Sequence, residues 1–173
     1  MRLSSIASIP FALLCIALSL HAGAAVTAKE PTVTVIHGDR KQSFTVPQLE
    51  ARLKSETVRF FNPYYEKVKS FEGFALGSLM KELFPAESAK AGGWKVEFLA
   101  LDDYRSVTPL QKLFEPGGYL IFRDNDRPQW EEMKKHKVSP GPFAVMWTGK
   151  EQLWKDGYPW PWQIKVIRLV REQ

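Results

Sequence analysis

Gly157-Tyr158-Pro159-Trp160-Pro161-Trp162-Gln163-Ile164-Lys165-Val166-Ile167-Arg168-Leu169-Val170, written GYPWPWQIKVIRLV, is the stretch whose reading decides the fold. Proline holds φ at about −65° and pushes the residue before it into extended backbone, so the chain reaches its last apolar run already straightened. From Trp162 onward apolar and polar residues alternate, the period-two pattern of a strand with one face turned inward. Trp162, Ile164 and Val166 share one face, and Gln163 and Lys165 the other. The phase then slips, and Ile167 and Leu169 become the apolar pair. A β-bulge or a second buried face accounts for such a slip. Trp162 is expected in the core, where an indole buries roughly 200 Å2. Trp160 lies on the same side if the strand has begun, or is turned toward the loop by Pro161. Packing explains the two indoles better than stacking on a ligand.

Working outward, short strands alternate with short helices. Thr32 to Ile36 reads as a strand, followed by a His37-Gly38-Asp39 turn. Ser43 to Val46 is a second strand leading into a helix that begins near Pro47, since proline is welcome in a first helical turn. Thr57 to Phe61 is extended, Asn62-Pro63 interrupts it, and Lys67 to Phe71 resumes. Leu76, Leu79, Met80 and Leu83 keep the i, i+3, i+4, i+7 spacing of an amphipathic helix that stops before Pro85. Trp94 to Phe98 alternates cleanly as a strand, and Arg105 to Val107 continues or bends it. Pro109 to Phe114 forms a short helix closed by Gly117-Gly118. Tyr119 to Phe122 and Phe143 to Trp147 are further strands. With no regular βαβ rhythm, these elements predict an α+β domain, a mixed β-sheet with short helices.

The N-terminus has a different character. Arg2, the apolar run Ile9 to Leu20 and the small-x-small Ala22-Gly23-Ala24 read as a signal peptide over residues 1–24, leaving 25–173 as a single domain. The apolar run is shorter than the roughly 20 residues a spanning helix takes, so no stable membrane insertion is expected after cleavage. Cys15 follows Leu13-Leu14 inside that run, which does not fit a lipoprotein site. It is the only cysteine among 173 residues. The exported domain therefore has neither disulfide nor thiolate. Losing Arg2 takes the formal charge from +5 to +4, and the excess is scattered: Lys134, Lys135 and Lys137 stand beside Glu131 and Glu132. Nothing here reads as a nucleic-acid surface; a small anionic ligand or an acidic protein face suits this charge.

Chemistry-bearing motifs are few. There is no glycine-rich phosphate loop and no G-x-S-x-G elbow. His37 and His136 are the histidines left after the leader, far apart and without neighbours at metal-ligand spacing. Asp124-Asn125-Asp126 opens like a calcium loop, but Arg127-Pro128 stands where further ligands and a glycine belong, so a solvated hairpin turn is expected. Asp102-Asp103 places adjacent carboxylates on opposite sides of extended backbone, not as an acid/base pair. Asp103 reads as a turn brace, which leaves Tyr104 and Arg105 to line a pocket.

The order of these motifs resembles the molybdopterin-binding domain of the sulfite oxidase family. Phe71-Glu72-Gly73-Phe74-Ala75-Leu76 is similar to that family's aromatic-x-Gly-x-x-Leu segment. VEFLALDDYRSVTPL is similar to its strand, Asp-x-Tyr turn and short helix, and GGYLIFRDNDRPQ to its hairpin. SPGPFAVMW resembles its Gly-Pro strand, and WPWQIKVIRLV its Trp-led final strand. Short exported members, some with relatives fused to c-type cytochrome domains, are the most similar group. The resemblance spans about residues 31–171 and implies a molybdopterin cofactor. Two departures count against that. The segment 57–65, where the family carries its molybdenum-ligating cysteine, has none, and neither Asn62 nor Tyr64 replaces a soft thiolate. The arginine that often follows the Gly-Pro is absent as well, since Phe143-Ala144-Val145 follow Pro142. The chain is thus expected to be a periplasmic, non-catalytic binding or accessory protein on an inherited oxidoreductase scaffold, with no cofactor of its own. Asn62, Tyr64, Tyr104, Arg105 and His136 are its candidate ligand contacts. A c-type cytochrome or another periplasmic redox protein, and a small anion, are the candidate partners. The alternatives are an active oxidoreductase that binds molybdopterin or another cofactor through oxygen and nitrogen, and a small-anion sensor domain.

Overall fold

The computed structural model describes residues 30–149 and 158–172, so the segment read as a leader and Gly157 lie outside the described residues. Where one mixed sheet is expected, the chain forms two. The first contains β1 (Thr32–His37), β2 (Arg40–Thr45), β5 (Trp94–Ala100), β6 (Arg105–Pro109) and β9 (Ile164–Arg171), in the order β2-β1-β9-β5-β6. The second contains β3 (Glu56–Asn62), β4 (Lys67–Ala75), β7 (Gly118–Asp124) and β8 (Ala144–Trp147), in the order β3-β4-β7-β8, antiparallel throughout. Only the first is mixed: β9 runs parallel to β1 and antiparallel to β5. The helices are short, α1 (Val46–Glu50), α2 (Leu76–Leu83) and α3 (Pro85–Ser88), with a 3-10 turn over Leu110–Phe114. The architecture is α+β. No helix among the described residues is long and apolar enough to cross a membrane.

The last strand lies at the centre of the first sheet, and its phase slip is a bulge. Leu99 pairs with Val166 while Ala100 pairs with Ile164, so Lys165 is the extra residue. That insertion puts Ile164 on the buried side together with Ile167 and Leu169, which a straight strand would separate. The strand also starts later than expected. Gln163 has a φ of 54°, a left-handed conformation that interrupts extended backbone just before Ile164. Trp162 is therefore outside the strand and only half-buried, and Trp160 takes the interior place that the alternation assigns to Trp162, at 7% exposure.

Both sheets feed one apolar core. Leu76, Leu79 and Met80 of α2 are fully buried, as the helical spacing predicts, and pack with Phe84, Phe98, Leu110 and Leu120 in that cluster. Thr45 caps α1 reciprocally with Gln48, whose side chain accepts from the Thr45 N–H at 2.9 Å. In the second sheet the register breaks between Glu72, opposite Arg123, and Gly73, opposite Ile121. A Cβ at Gly73 would lie 2.8 Å from both Ile121 Cδ1 and the Leu120 carbonyl oxygen, so the close approach of β4 to β7 requires glycine there.

The Asp124-Asn125-Asp126 turn differs from the solvated hairpin expected of it. The next strand begins only at Ala144, and Asp124 is 3% exposed. Its Oδ1 accepts the Asp126 N–H at 3.0 Å, while its Oδ2 takes the fully buried ammonium of Lys69 at 2.7 Å. Lys69 also donates to Glu131 Oε2 at 2.9 Å. Burial alone would lower the Lys69 pKa; the hydrogen bonds and charges of Asp124 and Glu131 outweigh it and raise the pKa on balance.

Candidate functional site: an aromatic cluster around Trp160

Four separate segments meet around the closing Trp-Pro-Trp. The β3–β4 connection brings Asn62 and Tyr64, the loop before β8 brings His136, the approach to β9 brings Trp160 and Trp162, and the β5–β6 turn brings Tyr104. Backbone hydrogen bonds tie them together. Gln163 donates its N–H to Pro140 O at 2.8 Å, Leu101 donates to Gln163 O at 2.9 Å, and Lys134 donates to Tyr64 O at 3.0 Å. The Gln163 side chain adds a bond to Ser139 O at 2.9 Å. The left-handed turn at Gln163 is therefore what lets one residue clasp two loops.

The rings form a connected set. Tyr64 lies 5.3 Å from Trp162, 5.5 Å from His136 and 5.9 Å from Trp160, centroid to centroid. His136 lies 5.0 Å from Trp162, and Trp160 meets Phe60 edge-on at 6.1 Å. Within the set, the Trp160 indole Nε1–H is buried and has no hydrogen-bond acceptor. Burial raises the Tyr64 phenol pKa first, and the neighbouring Tyr104 phenol raises it further. The site is thus rich in neutral donors.

Of the residues singled out from sequence, Asn62, Tyr64 and His136 come together, and Tyr104 is within electrostatic reach of Tyr64 while 59% exposed. Asn62 is fully buried and its amide is committed at both ends: Oδ1 accepts the Tyr64 N–H at 2.9 Å, and Nδ2 donates to Met146 Sδ at 3.4 Å. Arg105 goes elsewhere, to Glu97 Oε1 at 2.7 Å, while the other Glu97 oxygen takes Arg168 at 2.8 Å. The neighbouring turn holds itself: Asp102 Oδ1 accepts the Tyr104 N–H at 3.0 Å, and Asp103, with φ of 65°, binds Lys165 at 2.6 Å. Asp102, and not Asp103 as the sequence reading has it, makes the hydrogen bond within the turn, while the exposed Asp103 ties the turn to Lys165 of β9. His37, the other histidine, packs edge-on against Phe84 and Trp94 and contacts Glu87 at 3.4 Å.

Sequence reasoning missed the donor at Trp160 and the buried ion cluster at Lys69. The first left no readable sign, because alternation assigns faces and not hydrogen-bond partners. The second had one: Lys69 falls on the same strand face as Phe71, where a charge needs a partner. Next to that cluster lies an open depression of about 960 Å3 lined by Tyr65, Lys67, Arg127, Trp130, Glu131 and Lys137, among others.

The donor chemistry does not fit a molybdenum centre. No cysteine occurs in 57–65, the Asn62 amide is neutral and already hydrogen-bonded at both ends, and burial raises the Tyr64 phenol pKa, which disfavours a phenolate ligand. Among the described residues no group of three histidine, cysteine or carboxylate side chains is placed to hold a metal ion.

No protein-family model and no curated protein matches the chain. Among solved structures, the sulfane dehydrogenase SoxCD from Paracoccus pantotrophus is similar at 16% identity and a TM-score of 0.48, over 82% of this chain. The chain spans 38% of the length of the chain it matches there.

Proposed function

We propose that this chain is an exported, periplasmic binding or accessory protein that holds a ligand without transforming it, and that it serves a redox system. The observation that carries the reading is the state of Asn62. It lies in the segment where the resembling family places its metal-binding thiolate. A neutral amide, fully buried and hydrogen-bonded at both ends, supplies neither the anionic thiolate a molybdenum centre uses nor an acidic proton to exchange with a substrate. The raised Tyr64 pKa supports the same reading, because a general base at neutral pH needs its pKa brought down toward the working pH. The leader-like first 24 residues support export, and the scattered positive charge supports a small anion or an acidic face of a redox protein, a c-type cytochrome included, as partner.

Elemental analysis and an absorption spectrum of the protein purified from its native compartment test the proposal. Substoichiometric molybdenum and no pterin or haem absorbance are expected. About one molybdenum per chain would overturn it and favour an oxidoreductase that binds its metal through oxygen and nitrogen alone.

A further inference from the structure

We infer that the outer face of the first sheet is a docking surface for an acidic face of another protein. The inference rests on the proposed accessory role and deepens it by locating where such a partner sits. Val33, Val35, Phe98, Ile164, Ile167 and Leu169 turn one face of that sheet into the core. The alternate residues point the other way, and the strand register sets them side by side. Lys41, Ile36, Arg168, Glu97 and Val107 form one row across all five strands, and Ser43, Thr34, Val166, Leu99 and Arg105 form the next. Val170, Lys95 and Pro109 begin a third. A solvated sheet face is ordinarily polar. This one interleaves aliphatic side chains: Leu99 lies directly opposite Val166, Ile36 and Val170 are only half-buried, and Val107 is 52% exposed.

Charge decides the occupant. The cations of these rows are Lys41, Lys95, Arg105 and Arg168, and Glu97 is their lone carboxylate. Both Glu97 oxygens are already taken, by Arg105 at 2.7 Å and Arg168 at 2.8 Å, so this triad keeps a surplus positive charge. With the rim pairs Lys95–Glu172 and Lys165–Asp103 included, cations outnumber carboxylates five to three. Apolar residues inside a basic fringe complement an acidic protein face. A second copy would set like charge against like. A lipid surface is a poorer match, because interfacial binding sinks bulky apolar side chains among the headgroups. These rows carry no aromatic ring and hold their aliphatic side chains against the sheet. At about 4.8 Å between strands and about 6.8 Å between same-face neighbours, the face measures roughly 20 Å by 20 Å, on the order of 400 Å2. That is below the ~800 Å2 per partner of a standard interface and in the class of brief encounters.

Val107→benzoylphenylalanine, illuminated in the cell that makes the protein, reports what lies on the face. Val68→benzoylphenylalanine, on the exposed side of β4, is the control. An adduct from position 107 alone is expected, to a peptide of another protein rich in aspartate and glutamate. It should fade when salt is raised in the isolated compartment and when Lys41→Glu is added. An adduct to a second copy, to phospholipid or to nothing, equal capture from position 68, or an adduct indifferent to salt overturns the surface. Poly-L-glutamate titrated into the purified protein, followed by nitrogen–proton correlation spectra, checks the charge argument. The amides of Val107, Val166 and Arg168 should move saturably while that of Val68 stays. Val107→Lys should bind at least as tightly as the wild type and Val107→Asp about tenfold more weakly, a dependence on sign that lost packing would not produce. Circular dichroism establishes that both variants fold. Movement centred on Lys135 and Lys137 instead, or no difference between the two variants, overturns the surface. Metal content keeps this separate from the broader reading. A protein that carries about one molybdenum and still cross-links through position 107 overturns the non-catalytic role and leaves the surface standing. A metal-free protein without the adduct does the reverse.

Discussion

Replacing Lys69 by methionine isolates the largest electrostatic commitment in this fold. Methionine keeps the length and packing of the side chain and removes only the ammonium. At an effective dielectric near 20, charges 2.7 Å apart attract by about 6 kcal/mol, and the cost of burying Lys69 and Asp124 consumes much of that gain. Deleting one partner removes the attraction and leaves the burial cost of the other. Asp124, with no side-chain exposure, would then keep only the Asp126 N–H at 3.0 Å and a long bond from the Glu131 N–H at 3.4 Å. A loss of about 3–5 kcal/mol is expected, against a total stability of about 5–15 kcal/mol for an ordinary domain. Urea unfolding followed by tryptophan fluorescence measures it, and melting should fall by roughly 10 °C. Lys69→Met combined with Asp124→Asn keeps the turn hydrogen bond, removes both charges and should recover at least half of the loss. A single-variant loss below about 1 kcal/mol, or a double variant no more stable than the single one, would refute this account.

Two further outcomes follow from the same region. Hydrogen bonds from Lys67 and then Lys69, aided by their charges, outweigh burial and hold the Glu131 carboxyl at about 2, below its ordinary 4.5. A depressed carboxyl contributes stability that is complete above about 4.5 and lost as the pH falls through about 2, so the wild type should lose on the order of 2 kcal/mol across that window. Glu131→Gln should flatten the acid limb in a pH series of urea midpoints. Gly73→Ala should destabilise the fold by about 1–3 kcal/mol, because the new methyl meets the Leu120 carbonyl at 2.8 Å and backbone cannot step aside as a side chain can. A neutral effect on the melting temperature would show that β4 and β7 separate easily at the bulge.

Local order was legible in the chain itself. Alternation at Trp94 to Phe98 marked a strand, the spacing of Leu76, Leu79, Met80 and Leu83 marked a buried helix face, and Gly38 marked the first turn, because each depends on neighbours within a few residues. The slip after Lys165 announced an irregularity, and pairing with β5 made it a bulge. Tertiary structure alone decided which strands pair: periodicity says which face of a strand is apolar but not which strand lies beside it. For that reason two sheets stand where one was expected, and β1 lies parallel to the last strand. The same limit governs the site. Tyr64, His136 and Trp160 meet only because distant loops are clasped at Gln163, and the exchange of Trp162 for Trp160 in the interior turns on one left-handed residue. Burial of Lys69 and the unpaired indole are likewise products of three-dimensional enclosure, which removes water from a polar group according to what surrounds it in space and not what precedes it in sequence.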